Sequence, residues 1–267
     1  WREMWECGVA YVKKYDIQPF MYELFNEPDY DDLSEFNRNL FVKKMAKKYG
    51  GKIARLNSEW GSKYADFAEI GKFRNYDENA GLFIEWIKFM EDSFADVCKF
   101  GAKVIRKADG RPDAGICFQP LGQDATNVNI YKTNKNLNAI CTPTGGGAHF
   151  MGRFLKAMAD GKPIFDGETY MGHTRESFRD KILYQYMIGY NAFYTFKWSR
   201  RPHDPAWKLE NGGVRLGEKF TYELLNPYSI PPSALEGYMD AKKIIFGVND
   251  LFTPRDRGVK SDVAVVY

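Results

Sequence analysis

The sequence predicts an α/β fold of parallel strands, specifically a (β/α)8 TIM barrel lacking its first three strands. Three observations carry this. Single strands alternate with helices along the whole chain, the pattern of parallel strands joined by helical crossovers. Two apolar strands far apart each deliver a glutamate. Gln18-Pro-Phe-Met-Tyr-Glu-Leu-Phe25 runs into Asn26-Glu27-Pro28, and Lys162-Pro-Ile-Phe-Asp-Gly runs into Glu168. A barrel of this kind presents reacting groups at the carboxyl ends of its strands. Finally, no G-x-G-x-x-G or P-loop occupies a strand-to-helix turn, which removes support for an open nucleotide-binding sheet.

The bulk properties fit one large domain. The chain has 267 residues, of which 44% are hydrophobic, enough to bury a substantial core. Net charge is +3, which makes no electrostatic case for nucleic acid or an anionic membrane. No run reaches transmembrane length, and no charged-then-apolar leader opens the chain. Aromatics make up 16%, consistent with a dense core or with rings that stack on sugars. Cys7, Cys98, Cys117 and Cys141 are scattered, with no C-x-x-C pair, so neither a metal site nor a disulfide framework is expected. Each reads as a small buried hydrophobe. No cofactor is implied.

The elements follow in order. Residues 1–15 read as an amphipathic helix with Trp1, Trp5, Val9 and Val12 near one face. The Glu27 strand comes next, then an acidic loop. Ser34 caps a helix to Tyr49 with Phe36, Leu40, Phe41 and Met45 inward and Gly50 as its stop. Lys52–Gly61 is a short helix closed by Gly61. Residues 82–107 form a long helix with Phe83, Trp86, Ile87, Met90, Phe94, Val97 and Val104, ended by Asp109-Gly-Arg-Pro112. Strands are expected at Ala114–Gln119 and Leu137–Thr142, and a short helix at 149–159. After the Glu168 strand, Thr174 starts a helix to Gly189 with Phe178, Ile182, Leu183 and Met187 inward. Ala192–Trp198 is a strand, and Ser233-Ala-Leu-Glu236 is a capping box opening a helix to Val248. This makes five strand–helix units, with no repeat in residue identity between them. Residues 1–258 are read as barrel and 259–267 as the first strand of a following domain.

The paired glutamates suggest the chemistry. Breaking a glycosidic bond takes an acid to protonate the leaving oxygen and a carboxylate on the other side of the sugar ring. Glu27 and Glu168 end the first and fourth strands, and strands so placed face each other across a barrel mouth.

The chain here resembles a known group. Phe25-Asn-Glu-Pro28 and Pro163-Ile-Phe-Asp-Gly-Glu168 are similar to the fourth- and seventh-strand signatures of the clan A retaining glycoside hydrolases. Within that clan, Lys47-Lys-Tyr-Gly-Gly-Lys-Ile-Ala-Arg-Leu-Asn-Ser-Glu-Trp-Gly61 resembles the segment after strand four in family 42 β-galactosidases. Phe193-Tyr-Thr-Phe-Lys-Trp198 resembles their strand eight, and Asp262–Tyr267 the start of their second, trimerisation domain. The resemblance implies a retaining β-glycosidase acting on an oligosaccharide or glycoside, with Glu27 as acid/base and Glu168 as nucleophile. It also implies that Asn26 hydrogen-bonds the sugar 2-OH, that Trp198 floors the subsite of the cleaved sugar, and that the full-length protein is a homo-oligomer, a trimer.

Two segments depart from the family. Ser199–Trp207 does not reproduce its sugar-binding loop, and Thr142–His149 differs from its strand-six turn. His149 follows a glycine-rich strand end and is a candidate cleft residue; it reads equally as a helix start. His173 is a candidate support for the Glu168 strand, whereas His203 and Asp204 read as surface loop. Lys43, Lys44, Lys47 and Lys48 read as a solvated helix face. Three alternatives remain at this stage. One is an endo-acting glycanase of the mannanase or cellulase kind. Another is an inactive glycan-binding barrel, against which the retention of Asn26, Glu27 and Glu168 argues. An aldolase would use Lys197 and leave both glutamates unexplained.

Overall fold

The structure, a computed structural model, describes residues 1–120, 127–142, 155, 158–159, 161–170, 174–196 and 233–248. It divides into two units, Trp1–Asn138 and Ala139–Tyr267.

In the first unit, helix α1 (Arg2–Lys14) leads to strand β1 (Met21–Asn26). Helices α2 (Glu35–Lys48) and α3 (Ile53–Trp60), two 3-10 turns and the long helix α4 (Ala80–Asp109) follow. Strand β2 (Gly115–Gln119) then pairs parallel with β1, and a short helix α5 (Ile130–Asn134) comes after it. Helix α4 is the spine of this unit. At 30 residues it is about 45 Å long. Asn79 caps its start by accepting the Leu82 N–H at 3.1 Å, and Gly110, at φ 90°, ends it. Its first half buries Leu82, Trp86, Phe89 and Met90 against Phe41 and Met45 of α2 and Leu56 and Trp60 of α3. Its second half buries Phe94, Cys98, Ala102 and Ile105 against Trp5 and Val9 of α1 and Leu24 of β1. Gly101 permits the second contact. A Cβ there would stand 2.7 Å from the Trp5 ring and 2.8 Å from Leu24.

The segment 47–61 is the heart of the first cluster. The buried Trp60 Nε1 donates to Tyr49 Oη at 2.9 Å, and Asn57 Oδ1 accepts from Ser62 Oγ and the Tyr64 N–H. Asn79 Nδ2 donates to the Trp60 carbonyl, so the same residue that caps α4 ties it to α3.

In the second unit, strands β3 (Ile140–Thr142), β4 (Ile164–Tyr170) and β5 (Ala192–Phe196) form a parallel sheet in that order. Helix α6 (Arg175–Ile188) connects β4 to β5. It starts at a capping box of Thr174 and Ser177 and ends at Gly189, φ 108°. Helix α7 (Ser233–Val248) packs on α6 through Phe178, Ile182 and Ala241. Arg175 on α6 pairs with Asp240 at 2.6 Å and Glu236 at 3.6 Å.

Two asparagines, Asn138 and Asn191, bond a strand residue in the same way. The Asn138 N–H donates to the Ile116 carbonyl, while its Oδ1 accepts the Ile116 N–H at 3.0 Å. The Asn191 N–H donates to the Ile164 carbonyl, while its Oδ1 accepts the Ile164 N–H at 3.0 Å. In each case the side-chain oxygen accepts the N–H of the same residue whose carbonyl takes the asparagine N–H. The two segments read Leu-Asn-Ala-Ile-Cys-Thr and Tyr-Asn-Ala-Phe-Tyr-Thr, sharing Asn, Ala and Thr.

Several expectations need correction. Phe36 is 71% exposed, and Leu40 and Phe83 are also exposed, because α2 turns Asn37, Phe41 and Met45 inward and α4 buries a neighbouring stripe. Met187 is 68% exposed near the end of α6. Trp1 is exposed beside α1, and Cys7 is exposed on it, unlike the three buried cysteines. β1 starts at Met21 rather than Gln18, β3 at Ile140 rather than Leu137, and α5 was not foreseen. Trp198 and His149 lie outside the described residues, as do Lys197, His173, residues 199–232 and 249–267, and most of the 149–159 helix.

Among the described residues no helix is long and apolar enough to cross a membrane.

Candidate active site

Glu27 leaves β1 in an uncommon backbone conformation. Its φ is 46°, in the left-handed region that a side chain with a Cβ avoids. Pro28 follows it, and a proline restricts the preceding residue further. Such a backbone costs on the order of 1–3 kcal/mol and persists only when its surroundings fix it. They do so here. The Glu27 N–H donates to the carbonyl of Gln119, the last residue of β2, at 2.7 Å.

A break in register precedes this point. Glu23 stands opposite Cys117 and Asn26 opposite Gln119, so three steps on β1 match two on β2. One extra residue is inserted just before Asn26 and Glu27. An insertion of this kind bends a strand and re-aims the side chains that follow. The loop beyond is fastened on both sides. Asn127 Nδ2 donates to the Tyr30 carbonyl at 2.9 Å, and the Tyr30 ring packs 5.5 Å from Phe94. Burial raises the Tyr30 hydroxyl pKa, as does Asp32 nearby. A cavity of about 340 Å³ opens along this loop, lined by Pro28, Asp29, Tyr30, Asp31, Asp32 and their aromatic neighbours.

Glu168 sits on β4, two residues short of its end at Tyr170. The expectation that it terminates the strand is corrected accordingly. The register breaks here too. Asp166 stands opposite Phe193 and Thr169 opposite Thr195, again three steps against two. Glu168 lies inside that insertion.

Its support is a neighbouring carboxylate. Asp166 is fully buried. Its Oδ1 accepts the Glu168 N–H at 3.1 Å, and its Oδ2 accepts from the Thr169 hydroxyl and from Gln185 Nε2 of α6, the latter at 2.8 Å. Lys181, also on α6, feels the same charge: burial lowers its pKa and Asp166 partly offsets that. Burial pushes the Tyr190 hydroxyl pKa up, with Asp166 and Cys141 adding to the shift.

The structure therefore sets Glu27, Asn26 and Glu168 each at the carboxyl-terminal part of a parallel strand, the first two in one unit and the third in the other. Sequence reasoning missed Gln119 as the anchor of Glu27 and Asp166 as the brace of Glu168. For Asp166 a signal existed: Gly167, a lone glycine inside an apolar strand, marks a bulge. Among the described residues no group of three or more His, Cys, Asp or Glu is arranged to hold a metal ion.

Residues 11–143 match the family model of glycoside hydrolase family 42, β-galactosidase. Comparison with curated protein sequences returned no match. Solved structures share the fold. The β-galactosidase from Bacillus circulans sp. alkalophilus superposes with a TM-score of 0.64 at 13% identity, over 89% of this chain and 38% of that one. The β-galactosidase from the psychrophilic Marinomonas ef1 superposes with a TM-score of 0.66 at 14% identity, over 96% and 44%. The agarase AgWH50C gives 0.62 at 15% identity, over 96% and 40%. The chain thus spans about two fifths of the length of these proteins. The parallel strands with helical crossovers are those of barrel glycoside hydrolases, and residues 11–143, just under half of the chain, carry the likeness to family 42.

Proposed function

We propose that this protein is a retaining β-glycosidase that releases terminal β-linked sugars, with β-galactosides as the first substrates to test. Strands β1 to β5 correspond in this reading to strands four to eight of a (β/α)8 barrel, with residues 1–258 in the barrel and 259–267 opening a second domain. The observation that carries it is the shared delivery of the two glutamates. Each sits at or beside a one-residue insertion near the end of a parallel strand, and Glu27 lies within residues 11–143, which match the family 42 model.

In the mechanism, the Glu168 carboxylate attacks the anomeric carbon as Glu27 gives its proton to the departing glycosidic oxygen. A water, deprotonated by Glu27, then attacks the same carbon and releases Glu168. Two inversions give net retention. Asn26 donates to the sugar 2-OH, a contact that strengthens as positive charge develops in the ring. Trp198 supplies the apolar floor and His149 lines the cleft. Such a mechanism requires the two carboxyl groups to lie roughly 5–5.5 Å apart.

The test is a screen of aryl β-glycosides with the purified protein, repeated with Glu168→Gly and added azide. Turnover by the wild type, its loss in the variant and its return with azide as an α-glycosyl azide support the reading. An inactive wild type on every aryl β-glycoside would contradict it. A second reading, a glycanase acting within polysaccharides, draws on the agarase among the structural relatives. Activity on polymers with none on aryl glycosides would favour it.

A further inference from the structure

The geometry points to Asp166 as the positioning residue of Glu168, acting through the Glu168 peptide and not on substrate; this rests on the glycosidase reading above. The argument begins with strand phase. In a regular strand, residues two apart share a face and residues three apart do not. Asp166 points toward the helix layer, since Gln185 of α6 donates to it. Without an insertion, Glu168 would follow Asp166 onto that face and be lost to any cleft. The insertion reverses this. Thr169, three residues on, bonds the Asp166 carboxylate with its hydroxyl and so shares the Asp166 face. Glu168, between them, is thereby turned off that face.

Asp166 is built to hold this phase. One carboxylate oxygen takes the Glu168 N–H. The other takes Thr169 beyond the insertion and Gln185 on the neighbouring helix. The insertion is thus pinned at its apex, at its far side and to α6 by a single side chain. Asp166, Thr169 and Gln185 are all fully buried. Burying a carboxylate is costly unless it is well hydrogen-bonded, and an apolar residue would fill the same space without that cost. What an apolar residue would not supply is an acceptor for the Glu168 peptide. Asp166 also interacts with Lys181 and Tyr190, which belong to the same buried group.

Two substitutions separate positioning from bulk stability. Asp166→Ala removes every acceptor. Asp166→Asn keeps one oxygen for the Glu168 N–H, and the Gln185 amide can rotate to meet the new donor. On an aryl β-glycoside, kcat per folded molecule should fall about a hundredfold in Asp166→Ala, with KM changed less than about threefold, as for a reacting group displaced by a fraction of an ångström. Asp166→Asn should regain all but about tenfold of that rate. The decisive arm is the Glu168→Gly background with azide as nucleophile. There Asp166→Asn or Asp166→Ala should change the azide-supported rate less than about threefold, because the group being positioned is gone. A full loss persisting in that background would overturn the proposal. So would an Asp166→Asn enzyme whose folded molecules are as slow as those of Asp166→Ala, or a wild-type rate in the folded fraction of either. If Glu168→Gly is not rescued by azide at all, the glycosidase reading fails first and the role of Asp166 falls with it.

Discussion

In the first unit the candidate acid/base is held by its own backbone. Glu27 adopts a left-handed conformation, and its N–H is fixed by the Gln119 carbonyl. In the second unit the candidate nucleophile is held by a neighbour's side chain. Glu168 stays within the sheet, and the buried Asp166 takes its N–H. Both strands carry the same one-residue insertion against their neighbour. The difference teaches that one device, a break in register, turns a carboxyl out of a strand, while a second must hold it there. A strained backbone serves where the strand is ending, and a polar brace serves where it continues.

The comparison is tested most strongly by removing each carboxyl. Glu168→Ala should lower kcat by more than about a thousandfold on every substrate, since the covalent step loses its nucleophile. Added azide or formate should restore part of the rate with inverted product. Glu27→Ala should cost about 10²–10⁴-fold on glycosides with poor leaving groups and far less on activated aryl glycosides, which need little protonation. Equal losses across leaving groups would remove Glu27 from the acid role. Initial rates over a series of aryl leaving groups decide this.

A stability measurement asks whether Glu27 stores strain. Glycine accepts φ 46° without steric cost, whereas alanine does not. Glu27→Gly should therefore be more stable than Glu27→Ala by about 1 kcal/mol, the reverse of the usual order within regular structure. Denaturant titration of the two variants reads this. At Glu168 no such inversion is expected, because that residue is not among those at positive φ.

Much of this arrangement was legible in the sequence. Gly61 closes its helix as read, and the helices read to end at Asp109-Gly-Arg-Pro112 and near Gly189 end at Gly110 and Gly189; all three glycines have positive φ. Ser34 and Thr174 cap the helices they were expected to cap. The alternation of strand and helix gave the parallel pairing. What escaped lies at a scale that periodicity does not reach. Phe36 and Leu40 carry the apolar signature of an inward face, yet the turn of α2 is set by which residues find partners on α4, namely Phe41 and Met45. Asn138 reads as part of a strand and Asn191 as the link between a helix and a strand, because a side-chain amide that bonds a backbone N–H has no periodic signal. Asp166 read as one acid in a strand of several residues. Its burial and its bonds to the Glu168 N–H, Thr169 and Gln185 distinguish it. The segment 47–61, legible as a family motif, forms core and hydrogen bonds through Tyr49, Leu56, Asn57 and Trp60.

Smaller effects concern the end of the first unit away from Glu27. Asp109 is held well below the ordinary carboxylate range by hydrogen bonds from Arg111, with Tyr22 adding to them at 2.5 Å. A carboxyl whose folded pKa is depressed contributes stability that is complete above its unfolded value of about 3.9 and is lost as pH falls toward the folded value. Melting temperature should therefore drop between about pH 4 and pH 2, and Asp109→Asn should flatten that part of the profile while lowering stability near neutrality. An unchanged acid limb in the variant would show that other carboxyls set it.

The most direct test of the central claim, that Glu27 and Glu168 act together through a covalent intermediate, is the stereochemistry of the first product. Proton NMR of the anomeric signals during early hydrolysis of an aryl β-glycoside, before mutarotation, distinguishes the outcomes. The account predicts that the β-anomer appears first and the α-anomer grows in only as the free sugar equilibrates. An α-anomer appearing first would mean a single displacement by water, which needs carboxyls about 6.5–9.5 Å apart, and would contradict the assignment of Glu168 as nucleophile.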